Sequence, residues 1–203
     1  MTENSGRPGN VIVLAEGATD EAFSSLQFGD IQELALHPLI AQQAGKSLAS
    51  WETYLIIVQP LYDPVTSQPL PGIAAGRPNK RFLQVRGVVD PEIAAGVHSM
   101  QLTSGGAWFS EAGVKQLDEN SAPLVEVVLG WGIAGELGLD RADKPQRLVA
   151  GDTFPVGDKT WYVAGVMEGT NTAFDSEVWA KQSYIGPLFG KSTWTTLFVR
   201  TSS

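Results

Sequence analysis

The chain has 203 residues, enough for one large domain or two small lobes. It carries 14 Lys and Arg against 22 Asp and Glu, a formal charge of −8, which argues against nucleic acid as a partner and against an anionic lipid surface as the main one. It has no cysteine and only two histidines, His37 and His98, so disulfides, thiolate catalysis and cysteine- or histidine-rich metal sites are excluded.

The opening MTENSGRPG lacks the apolar segment of a secretion signal and reads as a disordered polar tail over 1–9. VIVLAEG from Val11 predicts the first strand. A short amphipathic helix should follow, with Thr19 as its cap and Ala22, Phe23 and Leu26 on one face. Asp30 is placed to cap a second helix carrying Ile31, Leu34 and Ala35, which stops before Pro38. Leu48 to Gln59 contains TYLIIVQ, a β-type run ended by Pro60. The unbroken apolar run from Leu55 to Val58 is far short of the ~20 residues of a membrane span.

From 61 to 80, Pro64, Pro69, Pro71 and Pro78 with Gly72 and Gly76 predict a long proline-rich loop. RFLQVRGV resumes as a strand, and DPEIAAG predicts a short helix with Asp90 as cap and Pro91 at its first position. MQLTSGGAWF reads as a short strand and a glycine turn. PLVEVVLG predicts a buried strand, followed by a helix from Ile133 to Leu137. VAGDTFPVGDKTWYVAGVME reads as two antiparallel strands joined at Gly157–Asp158. EVWA is a short strand, Lys181 to Phe189 is helical, and TTLFVRT is the last strand. Strands mixed with short helices, without regular long crossovers, predict the α+β class.

Few motifs carry chemistry. Gly130-Trp131-Gly132-Ile133-Ala134-Gly135 matches the spacing of a dinucleotide-binding turn. It lies late in the chain, has a bulky Trp131 where phosphate would approach, and is followed by polar sequence. The expected role is therefore a glycine-relaxed strand-to-helix turn. Asp152 with Asp158, and Asp175 with Glu177, are the acid pairs that could serve hydrolysis or hold a hard cation. Their positions favour turn, surface or capping roles. No nucleophile elbow, P-loop or zinc-protease motif occurs, so no catalytic, cofactor or metal residue is assigned. Of six tryptophans, Trp51 and Trp108 sit beside polar, loop-like sequence and are the candidates for exposed partner contacts. An aromatic groove on a stand-alone binding protein, or a small carboxylate-dependent hydrolase, are the alternatives to a non-enzymatic module.

The C-terminal third narrows the choice. VVLGWGIAGELG, the GDT hairpin from Gly151 to Val163, Gly165–Val166, FDSEVW and TTLFVR follow one another in an order that resembles the extracytoplasmic domain of MacB-like and FtsX-like ABC transporter permeases. VIVLAEGATDEAFSSL and FLQVRGVVDPEI fit its N-terminal half more loosely. The resemblance spans Val11 to Arg200, with the proline-rich insert as a departure. It implies a domain excised from between two membrane helices, with Met1 an added start. It implies two lobes, one from 10–96 and 160–203 and one inserted over 97–159. It implies no enzymatic activity and no cofactor. Expected partners are the permease's own transmembrane helices, a separate ABC ATPase subunit, a periplasmic adaptor protein and a second permease copy. The expected location is the extracytoplasmic, periplasmic side of a bacterial cell membrane. If both ends join membrane helices, the first strand near Val11 and the last near Val199 must lie side by side.

Overall fold

The computed structural model describes residues 8–61, 63, 65, 66, 68, 80–141 and 146–202, without the side chain of Asp30. The polar tail, apart from Pro8 and Gly9, and most of the proline-rich segment lie outside the described residues.

The β-branched and aromatic runs pair into one large mixed sheet. Strand β1 (Asn10–Val13) lies antiparallel to the last strand, β11 (Thr196–Arg200), with Val11 opposite Val199. Next comes β4 (Ala49–Pro60), antiparallel to β11 and to β5 (Lys80–Val88). Strand β5 runs parallel to β10 (Glu177–Lys181), and β10 antiparallel to β7 (Leu124–Leu129). Strand β7 is parallel to β9 (Lys159–Val166), and β8 (Thr153–Val156) closes the far edge. The short β6 (Val114–Lys115) takes the stretch of β7 that β10 leaves unpaired. A separate small hairpin joins β2 (Gln42–Gln43) and β3 (Lys46–Ser47). The α+β class expected from the sequence is the class observed. The sheet runs through the expected lobe boundaries, because β7 lies between β10 and β9.

Period-two alternation gives the sheet two buried faces. On one, Leu83, Val85, Val127, Leu129 and Val178 meet Ile133 and Leu137 of α3 (Trp131–Gly138) and Ile185 of α4 (Gln182–Leu188). On the other, Val88, Val128 and Trp179 meet Ala94 and Ala95 of α2 (Pro91–His98), with Phe109 and Phe174. Helix α2 starts as its sequence dictates: the Asp90 carboxylate accepts from the backbone N–H of Glu92 (3.0 Å) and Ile93 (3.1 Å), and Pro91 follows it. Helix α1 (Phe28–Ala35) buries Ile31 and stops before Pro38.

Three local expectations are corrected. The helix near Thr19 is a single 3-10 turn, Glu21–Phe23, capped by Asp20 rather than Thr19. The Ser24 hydroxyl accepts from Ala15 N–H at 2.8 Å, ties the chain back and leaves Phe23 87% exposed. Helix α1 begins at Phe28, so Asp30 lies inside it. MQLTSGGAWF forms no strand beyond an isolated bridge between Leu102 and Met167.

Candidate functional site

A single guanidinium sits at the centre of the large sheet. Arg86 projects from β5 on the face covered by α2 and is 2% exposed. Glu177 of β10 accepts two of its N–H groups, from Nε at 2.7 Å and Nη2 at 2.8 Å. Glu52 of β4 accepts a third at 2.7 Å. Glu21, on the 3-10 turn after β1, closes the outer side at 2.8 Å. Each carboxylate finds further support: Trp179 Nε1 donates to Glu177 at 2.9 Å, and His98 Nε2 lies 2.7 Å from Glu52. The rings of Tyr54, Phe174 and Phe198 stand 5.3–5.5 Å from the guanidinium carbon and wall it in.

The electrostatics follow from burial against pairing. Burial would raise the Glu52 carboxyl, but the charges of His98 and Arg86 outweigh it and hold the group at about 2. Burial opposes the charge on Arg86 as well, and Glu177, Glu52 and Glu21 more than restore it. Tyr54 is pushed up to about 12, first by burial and then by Glu177. This cluster is occupied on every side and offers no face to a substrate. What it can do is bind four segments of chain to one point: the N-terminal turn, β4, β5 and β10.

A second set of polar contacts holds the two ends of the domain. Asn10 of β1 donates to the Val97 carbonyl at 2.9 Å, and Arg200 of β11 reaches that carbonyl and the Ser99 hydroxyl. Val97 precedes His98, which faces Glu52. Gly9 and Thr201 are joined by a backbone hydrogen bond of 2.8 Å. Because β1 and β11 are antiparallel neighbours, the chain enters and leaves at the same end of the same edge. The side-by-side ends required by the sequence reading are thus present.

No family model matches the chain, and no curated protein matches it by sequence. Solved structures do match it. The periplasmic region of MacB from Actinobacillus actinomycetemcomitans superposes with a TM-score of 0.55 at 14% identity, covering 97% of this chain and 76% of that one. The extracellular domain of the noncanonic ABC-type transporter YknZ from Gram-positive bacteria gives 0.54 at 13% identity, covering 88% and 74%. The chain has the fold of the MacB periplasmic region. Nearly the whole chain takes part in that likeness, although identity is too low for sequence comparison to find it.

Within this MacB-like fold the residues singled out from sequence separate. Asp152 accepts from Val149 N–H at 2.9 Å and pairs with Arg141 at 2.9 Å. Asp158 stands exposed in the β8–β9 turn. Asp175 accepts from the N–H groups of Thr170 (3.0 Å) and Asn171 (2.8 Å), a turn role. Glu177, expected at a surface or cap, is instead buried on Arg86, and this is the largest correction. The fold therefore separates the two acids of each pair. Among the described residues no His, Asp and Glu cluster could hold a metal ion.

The glycine motif also has a structural reason. Helix α3 packs directly under the 3-10 turn Ala173–Ser176. A Cβ on Gly130 would overlap the Phe174 and Asp175 carbonyls, and one on Gly132 would lie 2.9 Å from the Asp175 oxygen. Protein backbone fills the place a pyrophosphate would need. Trp51 and Trp108 are half-buried, not exposed: Trp51 packs edge-on against Phe28 and Trp194, and Trp108 stacks on Trp179. Each borders its own cavity, of about 220 Å³ beside Trp51 and about 430 Å³ beside Trp108. The most exposed tryptophan among the described residues is Trp131, 41% exposed under the Arg147 guanidinium.

Proposed function

We propose that the chain is the extracytoplasmic domain of an ABC transporter permease, a non-enzymatic module that couples ATP-driven motion across the membrane to a substrate or partner protein. The observation that carries this reading is the pairing of β1 with β11, which brings both ends to one point of a MacB-like fold. Two membrane helices joined there would move the domain as a body, and small helix shifts would become rotations of the whole sheet. The Arg86 cluster supports the reading, because it ties the turn after β1 to β4, β5 and β10 in the middle of the sheet through hydrogen-bonded groups. The division of the candidate acids among turns and ion pairs supports a role without bond-breaking.

In this reading ATP is bound and hydrolysed by a separate ABC ATPase subunit on the other side of the membrane. The domain lies on the periplasmic side of a bacterial membrane. Residues 97–159 form the inserted lobe, and 10–96 with 160–203 the end-derived one, sharing the sheet. Trp51 and Trp108, each lining a cavity, are the partner contacts, toward an adaptor protein or a second permease copy. The test is affinity purification from native membranes with a tag on this domain. An ABC ATPase should co-purify in stoichiometric amount. Recovery of the domain without any ATPase, from the aqueous fraction alone, would refute the reading.

A further inference from the structure

The turn Leu36-His37-Pro38-Leu39 after α1 is uncommonly apolar for a surface loop: Leu36 is 74% and Leu39 65% exposed. It is also held at the exit of the chain. The Leu39 carbonyl accepts from the Ser202 backbone N–H at 2.8 Å and from its hydroxyl at 3.1 Å, and Ile40 bridges Thr201. The Gly9–Thr201 bond brings the incoming chain to the same place. Whatever follows Ser202 therefore starts one hydrogen bond from these leucines.

Charge is arranged to match. The stretches Pro8–Ala15 and Leu34–Gly45 contain no Asp, Glu, Lys or Arg, in a chain with 22 acids. Arg200, on the strand paired with β1, is directed inward onto Asn10, Val97 and Ser99. The carboxylates nearest in sequence, Glu16 and Glu33, flank these stretches and do not interrupt them.

We propose that Leu36 and Leu39 dip into the headgroup–acyl boundary of a lipid bilayer and fix the tilt of the domain at its anchored end. This rests on the reading of the chain as a membrane-anchored domain. Two leucines do not hold a protein on a bilayer by themselves, but they orient one that is already tethered.

The cysteine-free chain allows single labels. Leu36→Cys, Leu39→Cys and Val65→Cys each carry an environment-sensitive fluorophore and are tethered by a C-terminal histidine tag to phosphatidylcholine vesicles containing a chelating lipid. Val65, an exposed apolar residue beyond the far end of β4, is the control. Emission at 36 and 39 should shift to the blue and rise at least twofold on tethering, with quenching by lipids spin-labelled high in the acyl chain. Val65 should not change. A fluorophore at Ser202→Cys should be quenched less once Leu36→Ser and Leu39→Ser are introduced, which separates the leucines from the dye. Unchanged emission at both labels, or unchanged quenching at Ser202, would overturn the proposal. So would a shift that grows with protein concentration in the absence of vesicles, because a second copy would then be the occupant. The tag imposes the membrane in this experiment, so its failure leaves the permease reading to its own test.

Discussion

Replacing Arg86 by leucine tests the cluster that joins the N-terminal turn, β4, β5 and β10. Glu177, 2% exposed, would be left without its cation, and Glu52, fully buried, with only His98 beside it. Removing one partner of a buried ion pair costs about 3–5 kcal/mol, because the other charge is stranded. For a chain of this size each kcal/mol lowers the melting midpoint by about 2–4 °C, so Arg86→Leu should fall by roughly 6–20 °C. A double-mutant cycle with Glu177→Leu should give a coupling of about 2 kcal/mol or more, the two groups being in bidentate contact. Glu21 is the internal contrast. Its side chain is about a quarter exposed, so the same cycle with Glu21→Gln should give at most about 1 kcal/mol. Urea unfolding followed by tryptophan fluorescence is the assay, with Trp179 reporting directly because it donates to Glu177. A loss below about 1 kcal/mol for Arg86→Leu, or equal coupling at Glu21 and Glu177, would refute the reasoning.

Acid should act through Glu52. Its carboxyl is held at about 2 against an ordinary 4.5, so its contribution is complete above 4.5 and is lost as pH falls toward 2. A separation of that size is worth about 3 kcal/mol, and Glu52→Gln should flatten the stability profile over that interval in pH-dependent urea titrations. Gly130→Ala should cost about 1–3 kcal/mol in thermal melts and Gly132→Ala less, since the Gly132 contact is the milder one. Asp90→Ala removes the α2 cap and should cost about 1 kcal/mol, read from the same melts.

The long strands were legible because their signals are local. Asp90-Pro91 places a helix start by itself, Gly157–Asp158 a hairpin, and the run RFLQVRGV a strand. The Arg86 cluster was not legible, because its partners are 34, 65 and 91 positions away. Glu177 was noticed, but beside Asp175, its neighbour in sequence; the fold turns one to a loop and the other to the sheet centre. A signal was present nonetheless. SWETYL, QVRGV and SEVWA each set one charge among strand-forming apolar residues, and opposite charges in three buried strands call for pairing. The glycine motif was legible as a strand-to-helix turn, but not what it packs against: its spacing reports close backbone approach, and the approaching group is the Phe174–Asp175 backbone. Exposure of Trp51 and Trp108 depended on rings brought from distant segments, Trp194 and Trp179, which loop-like neighbours in sequence do not disclose.

The adjacency of the ends permits a decisive substitution. On the proposed reading, membrane helices flank this domain in the full-length protein; because Gly9 and Thr201 share a backbone hydrogen bond, replacing residues 10–200 by a linker of a few Gly and Ser would then leave those helices side by side. ATP hydrolysis by the reconstituted complex is then measured with and without the transported substrate or partner. The account predicts that the complex assembles and hydrolyses ATP but no longer responds to substrate or partner. An unaltered response would contradict it.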